Sequence, residues 1–259
     1  MKVHEFGAKE NPVILLLPGT MCYWKGNFGS VIDELAQDFL VAVVAYTGFN
    51  ESDTESYVSV MDEVDQIEAY VQEHYDGAIR AAYGCSLGGT FVAHLAARHN
   101  VHMRYGIIGS SDFDQAGPAK ASLMTALMTK LTWNFIHTGR YKSRLMQKRY
   151  ERQMADPDPY NRAFVALTGR DKYDMGFIAK ESLKNQFRSD LATPLPTQTD
   201  NGETEIHVFY AKKMGEKYLE RYRKYFKNPV IHEQDLRHEE LLGVYPHKWC
   251  ELVKQIARE

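Results

Sequence analysis

The chain has 259 residues, of which 44% are hydrophobic and 25% charged, with a formal net charge of -3. This length suits one large α/β domain or two small ones, and the composition is typical of a soluble globular protein. The slightly acidic balance argues against nucleic acid as the main partner, because phosphate binding depends on a basic surface. Apolar runs such as Val13–Leu17 are too short to span a bilayer, so no membrane association is expected.

The N-terminal residues and the cysteines indicate the cellular compartment. The first residues, Met1–Phe6, contain no apolar signal segment, which predicts a cytoplasmic location. Three cysteines, Cys22, Cys85 and Cys250, are widely spread and odd in number. This pattern favours free thiols in a reducing compartment and lacks the spacing of a metal site. Nothing in the sequence indicates the oligomeric state.

Strands and helices alternate along the first part of the chain. Buried strands are predicted at about 12–17, 39–46, 78–83 and 104–109, and helices at about 28–37, 57–73 and 90–97. This alternation predicts an α/β fold with a mostly parallel central sheet flanked by helices. Ligands bind such sheets at the carboxyl ends of the strands, where Pro18–Thr20, Ser86 and Asp112 lie.

The pattern changes between residues 117 and 196, where strand-like runs disappear. Helices at about 118–136, 141–154, 160–168 and 176–188 fit this segment, which we interpret as a helical insertion between core parts 1–116 and 197–259. Its methionines are either packing residues or an adaptable apolar lining, namely Met124, Met128, Met146 and Met154. Its basic residues form either a solvated face or an anion-binding surface, namely Arg140, Lys142, Arg144, Lys148, Arg149 and Arg152.

The alternation resumes after the insertion. Strands are predicted at about 205–210 and 229–234, with a helix at 216–226 between them. A loop at 236–242 and a closing helix at about 246–258 complete the chain. No internal repeat or low-complexity segment is found.

The run Gly84-Cys85-Ser86-Leu87-Gly88 has the pattern Gly-x-Ser-x-Gly between a predicted strand and a predicted helix. Such an abrupt turn forces the central serine into a strained backbone conformation and leaves its side chain exposed at the sheet edge. The Leu87 amide then opens the helix, where it can stabilise a developing oxyanion. Cys85 lies one residue before the centre of the turn, and we interpret it as a small buried thiol.

A serine hydroxyl becomes a nucleophile when a neighbouring base takes its proton. The chain has ten histidines, and His238 directly follows the last predicted strand, where a loop can bring it over the strand ends. His247, by contrast, opens the closing helix. The order of the elements therefore favours His238 as the base.

With these features together, the chain resembles a member of the α/β-hydrolase superfamily with a helical cap. Pro18–Met21 is similar to the oxyanion loop of that superfamily, with Pro18 in place of its usual histidine. Gly84–Gly88 resembles the nucleophile elbow, and Arg237–Leu242 followed by Tyr245-Pro246 resembles the histidine loop.

The resemblance implies a role for each matching residue. Ser86 is expected to be the nucleophile and His238 the base. The amide of Leu87, together with that of Thr20 or Met21, is expected to form the oxyanion hole.

The acid of the triad departs from the superfamily pattern. It usually follows the strand that corresponds to residues 206–210. Residues 211–216, which follow that strand here, read Ala-Lys-Lys-Met-Gly-Glu and contain no Asp. Their one acid, Glu216, coincides with a predicted helix start. Some superfamily members place the acid after the preceding strand, where this chain has Asp112. Asp112 is favoured over Glu216, because an acid at a helix start has a ready role in complementing the dipole.

Three functions remain compatible with these residues. The first is hydrolysis of an ester or thioester bond of a small acyl substrate through a Ser-His-acid triad. The second is acyl transfer with the same residues, and the third is a hydrolase-like ligand-binding protein with little turnover. The first two require no metal or organic cofactor, and the sequence has no zinc-type His-Glu spacing.

Overall fold

One mixed sheet forms the centre of the computed structural model, which describes residues 1–197 and 201–258. Its strands in this part of the chain are β1 Lys2–Phe6, β2 Val13–Leu17, β3 Leu40–Ala45, β4 Ala78–Gly84, β5 His102–Ile108, β6 Glu205–Ala211 and β7 Val230–Gln234. They lie in the order β1-β3-β2-β4-β5-β6-β7. β1 pairs with β3 antiparallel, and every other pair is parallel, which confirms the predicted fold class.

Helices cover both sides of this sheet. In the first half they are α1 Trp24–Phe28, α2 Ile32–Leu35, α3 Val60–His74 and α4 Leu87–Arg98. Between β5 and β6 lie α5 Pro118–Thr138, α6 Arg144–Ala155, α7 Pro159–Thr168 and α8 Lys180–Ala192, called here the inserted helices. The chain continues with α9 Glu216–Tyr225, α10 Glu240–Val244 and α11 Pro246–Arg258. None of the helices in the described ranges is both long and apolar enough to cross a bilayer.

The continuous apolar runs form the central strands, as predicted. All six residues of β3 and four of the five in β2 are buried, because helices cover both faces of the sheet at these positions. The parallel pairing of β2 with β4 sets Leu17 beside Gly84. The loops that follow β2 and β4 therefore leave the sheet side by side.

Three local predictions were wrong or incomplete. β1 was not predicted, because an edge strand whose residues are exposed or only partly buried carries no continuous apolar run. The single helix predicted at 28–37 is instead the two short helices α1 and α2, and α1 begins earlier, at Trp24. The segment predicted as a loop at 236–242 contains the start of α10.

The inserted helices agree with the four predicted between residues 117 and 196. α5 begins with Pro118 at its first turn, and α7 begins after Asp158, whose side chain accepts a hydrogen bond from the Tyr160 amide at 3.0 Å. α8 begins and ends about one turn later than predicted. α5 and α8 pack against each other, and residues of both helices line the same cavity as Ser86.

Candidate active site

Ser86 lies at the junction of β4 and α4 with φ 49° and ψ -110°, a backbone conformation that is strained for a residue other than glycine. Two glycines make this turn possible. A Cβ on Gly84 would overlap the backbone of Gly88, and one on Gly88 would overlap the carbonyl of Leu17. The strand, turn and helix predicted around Ser86 are therefore present.

Contacts from other segments hold the backbone on both sides of this turn. The Ser86 amide donates a hydrogen bond to Oε1 of Glu239 at 2.9 Å. The Ser111 hydroxyl donates one to the Ser86 carbonyl oxygen. With its donor and acceptor both engaged, the backbone of Ser86 is fixed while its side chain borders a cavity.

That cavity has a volume of about 400 Å³ and brings together residues that are distant in sequence. Ser86 and His238 both line it, together with Thr20, Met21 and Asp112. The inserted helices supply most of its apolar lining, namely Met124, Met128, Phe164, Leu167, Phe187 and Leu191. Of the four methionines considered from the sequence, Met146 and Met154 are not part of this lining.

His238 occupies the loop between β7 and α10. Its carbonyl oxygen accepts a hydrogen bond from the Tyr160 hydroxyl at 3.0 Å, and its ring lies 6.2 Å from that of Phe164 between centroids. Nδ1 of His238 is buried and has no hydrogen-bond partner among the described residues. This is the atom that an orienting carboxylate contacts in a serine triad.

The two candidate acids have different surroundings. Asp112 lines the cavity with His238, and its Oδ1 accepts a hydrogen bond from the Asp114 amide at 3.0 Å. Glu216 is an exposed residue in the first turn of α9 and does not line the cavity. The structure therefore brings Asp112, and not Glu216, into the cavity of Ser86 and His238.

The loop after β2 contains the two alternative oxyanion donors. Gly19 donates its amide to Oδ1 of the fully buried Asn27 at 3.0 Å, which anchors the start of the loop. Met21 has φ 63° and donates its amide to Oε1 of Gln186 on α8 at 2.8 Å. The amides of Thr20 and Leu87 have no such acceptor within the described ranges.

Comparisons with known structures agree with this overall fold. A putative alpha/beta hydrolase family protein from Desulfitobacterium hafniense superimposes with a TM-score of 0.76 at 18% identity, over 98% of this chain and 99% of the other. An enol-lactonase from Burkholderia xenovorans LB400 gives a TM-score of 0.70 at 15% identity, over 100% and 96%. The chain has the α/β-hydrolase fold.

A third structure of similar extent is MenH from S. aureus, with a TM-score of 0.65 at 14% identity over 99% of this chain and 97% of the other. No family model and no curated protein matches the sequence. The likeness is therefore one of fold, and the chemistry has to be argued from the residues at the site.

Two thiols lie beside the elbow of this α/β-hydrolase fold, and neither is suited to attack a substrate. Burial, together with the charge of Glu239, raises the pKa of Cys85 well above its ordinary value. Burial raises the pKa of Cys22 to about 12. Because the thiolate is the reactive form, both groups stay protonated and unreactive near neutral pH.

Glu239 and Asp190 border the cavity without having been predicted as site residues. Glu239 is 3% exposed, and it lies one position after His238 within the run that resembles the histidine loop. Asp190 extends from α8, and its Oδ2 accepts a hydrogen bond from the Thr20 hydroxyl at 3.1 Å. Burial and the nearby charge of Asp112 raise the pKa of Asp190 to about 7.

Adjacency to His238 was the only sequence signal for Glu239, and Asp190 had none. The hydrogen bond between Glu239 and the Ser86 amide joins segments that no sequence motif relates, and so does the hydrogen bond between Asp190 and the Thr20 hydroxyl.

Proposed function

We propose that this protein is a serine hydrolase that cleaves an ester or thioester bond of a small acyl substrate through an acyl-enzyme intermediate. The observation that carries the proposal is the shared cavity of Ser86, strained at its elbow, and His238. The structural neighbours include an enol-lactonase and a marine microorganism esterase, names that agree with attack on an acyl carbon.

In the proposed reaction, His238 takes the proton of the Ser86 hydroxyl as the oxygen attacks the substrate carbonyl. The amides of Leu87 and Thr20 stabilise the oxyanion, because the Met21 amide is already bonded to Gln186. His238 then returns the proton to the leaving group. A water molecule releases the acyl group by the same steps, with His238 again as the base.

We assign Asp112 as the acid that orients His238. Its carboxylate lines the cavity that Ser86 and His238 also line, and Nδ1 of His238 has no hydrogen-bond partner in the described part of the chain. A carboxylate against Nδ1 holds the imidazole in the tautomer that faces the serine and stabilises its positive charge. In this assignment Glu216 has no part in turnover.

The cavity suggests the size and character of the acyl group. A volume of about 400 Å³ with mostly Met, Leu and Phe side chains suits a small aliphatic or aromatic group. Asp112 and Asp190 lie in the same cavity, so an acyl group that carries its own carboxylate is expected to bind poorly.

The proposal is tested with p-nitrophenyl esters and acyl thioesters from acetyl to decanoyl, with intact-mass spectrometry of the enzyme during turnover. We expect hydrolysis of the shorter members and a transient acyl adduct on Ser86. Product analysis with added alcohol separates water as the acceptor from acyl transfer to the alcohol. Folded protein that neither turns over any substrate nor carries an adduct would favour a ligand-binding protein and contradict the proposal.

A further inference from the structure

The carboxylate of Glu239 lies directly behind the elbow and accepts three hydrogen bonds. Its Oε1 accepts one from the Ser86 amide at 2.9 Å and one from the Ser110 amide at 2.8 Å. Its Oε2 accepts one from the Tyr83 hydroxyl at 3.1 Å. Both oxygens are thus engaged by donors from β4, from the elbow and from the loop after β5.

This arrangement is costly for the fold. Removing a carboxylate from water is unfavourable unless strong hydrogen bonds replace its hydration, and Glu239 is 3% exposed. Its backbone adds a second cost, since Glu239 has φ 53° in the left-handed region. Bonds to a charged acceptor are stronger than those between neutral groups, so the three donors offset part of this cost.

The hydrogen bonds that Glu239 accepts from the Ser86 and Ser110 amides are called here the bridge. The bridge connects segments that take part in the proposed reaction. Ser86 is the proposed nucleophile, Ser110 lies two residues before the proposed acid Asp112, and Glu239 itself follows the proposed base His238. One carboxylate oxygen therefore joins the three loops that carry the triad. Gly109 leaves room for it, because a Cβ there would come within 2.6 Å of Oε1.

We propose that Glu239 is a positioning residue, which holds the elbow, the Asp112 loop and the His238 loop in one register by accepting hydrogen bonds from the Ser86 and Ser110 amides. The inference rests on the proposed function, because it concerns the loops that carry the proposed triad. It assigns no proton transfer to Glu239, whose oxygens are both engaged by donors.

Three substitutions separate the geometry of this bridge from its charge. Glu239→Gln keeps the length and an oxygen that can accept both amides, but loses the charge. Glu239→Asp keeps the charge, but its side chain is one methylene shorter and does not reach both amides. Glu239→Ala removes the bridge. Glu240→Gln is the matched control, because the neighbouring buried carboxylate bonds to Arg237 and not to the elbow.

For Glu239→Ala we expect kcat to fall about 100-fold with KM changed less than about threefold, since misplacement of a reacting group by about 1 Å costs this much. The kcat of Glu239→Asp should fall about 10-fold or more. The kcat of Glu239→Gln should stay within about 10-fold of wild type, and that of Glu240→Gln within about threefold. The rate of fluorophosphonate labelling of Ser86 should fall in parallel with kcat.

Hydrogen exchange provides a readout that does not depend on turnover. Peptides covering residues 84–88 and 109–112 should exchange faster in Glu239→Asp and Glu239→Ala than in wild type. If Glu239→Asp keeps wild-type kcat while Glu239→Gln loses it, charge is what matters and the inference is overturned. It is overturned equally if folded Glu239→Asp and Glu239→Ala keep wild-type kcat, labelling and exchange.

The outcome for the wild type separates this inference from the proposed function. If wild-type protein shows no turnover and no labelling, yet the two peptides lose protection in Glu239→Asp, the serine-hydrolase proposal fails and the bridge stands. If wild type is active and the variants behave like it, the bridge fails and the serine-hydrolase proposal stands.

Discussion

The two sides of the cavity are built differently. On the side of the strand ends, backbone groups are held by specific hydrogen bonds, including the amides of Gly19 and Ser86 and the carbonyl of Ser86. On the side of the inserted helices, the lining is mainly Met, Leu and Phe, with Asp190 as its acidic group. Fixed polar groups suit the stabilisation of a transition state, whereas an adaptable apolar wall suits the choice of an acyl group.

This difference predicts how substitutions divide between the kinetic constants. Changes on the strand-end side should lower kcat, because they remove or misplace reacting groups. Changes on the helix side should alter KM and the preferred acyl length. Substitutions on the two sides of the cavity therefore test this division.

Ser86→Ala should lower kcat for short p-nitrophenyl esters by at least about 10³-fold, because nucleophile and base act as a unit. The fold should persist, because the contacts of Ser86 that hold the turn are made by its backbone. Steady-state kinetics and circular dichroism check both statements. Cys85→Ala is the control and should keep most of the activity, and substantial turnover by Ser86→Ala would move the nucleophile elsewhere.

His238→Ala should be nearly as damaging as the loss of Ser86, and His247→Ala should have almost no effect on kcat. His247 is exposed at the start of α11 and bonds to Glu34 at 3.0 Å, outside the cavity lining. Steady-state kinetics with short p-nitrophenyl esters checks both variants. Substantial turnover by folded His238→Ala would count against His238 as the base.

Asp112→Asn should lower kcat by about 10²- to 10⁴-fold, because a neutral amide neither fixes the reactive tautomer nor stabilises the imidazolium. Glu216→Gln is the matched control and should remain within about twofold of wild type, because Glu216 is exposed on α9. Turnover of the two folded variants decides between them. The reverse order of effects would overturn the assignment of Asp112.

On the helix side, Met128→Trp should fill part of the cavity and disfavour long acyl groups. KM for octanoyl esters should rise about 10-fold, since the loss of room for one or two methylenes is worth about 1–3 kcal/mol. The kcat for acetyl esters should change less than about threefold. Leu127→Trp is the control, because the exposed neighbour Leu127 is not part of the lining. Equal effects on both esters would break the division between the two sides.

The smallest effect concerns Asp190 and the pH dependence of stability. Its pKa is about 7 in the folded protein against an ordinary value of 3.8. Its contribution to the free energy of unfolding is therefore complete below about pH 4 and is lost as pH rises through about 7. Asp190→Asn has no carboxyl group that titrates at this position. Its free energy of unfolding should therefore rise, relative to that of wild type, by at least about 1 kcal/mol between pH 5 and pH 8. Urea unfolding at the two pH values measures this change. The same pH dependence of the free energy of unfolding in both proteins would contradict the raised pKa of Asp190.

Much of the fold follows from local patterns in the sequence. The runs at Val13–Leu17 and Leu40–Ala45 indicate buried parallel strands because no polar residue interrupts them. Gly84 and Gly88 indicate the tight turn at Ser86, and the structure shows why larger residues do not fit there. β1 escaped prediction because its partly buried residues carry no such pattern.

Less of the site could be predicted from the sequence, because the hydrogen bonds of Glu239 and Asp190 join segments that are distant along the chain. Glu239 reaches an amide 153 positions away, and Asp190 reaches a hydroxyl 170 positions away. No spacing rule relates such pairs, and they follow only from how the loops meet once the sheet has formed. The raised pKa of Asp190 likewise depends on burial and on the charge of Asp112, which a sequence does not display.

The reaction of wild-type protein with a fluorophosphonate, followed by peptide mass spectrometry, tests directly whether Ser86 is an activated nucleophile. This reagent forms a stable adduct with an activated serine, so it reports the nucleophile without knowledge of the substrate. We predict one rapid adduct on the peptide that contains Ser86, and none on that peptide in Ser86→Ala or, within the same time, in His238→Ala. An adduct on another residue, or none on folded wild-type protein, would contradict the claim that Ser86 is an activated nucleophile.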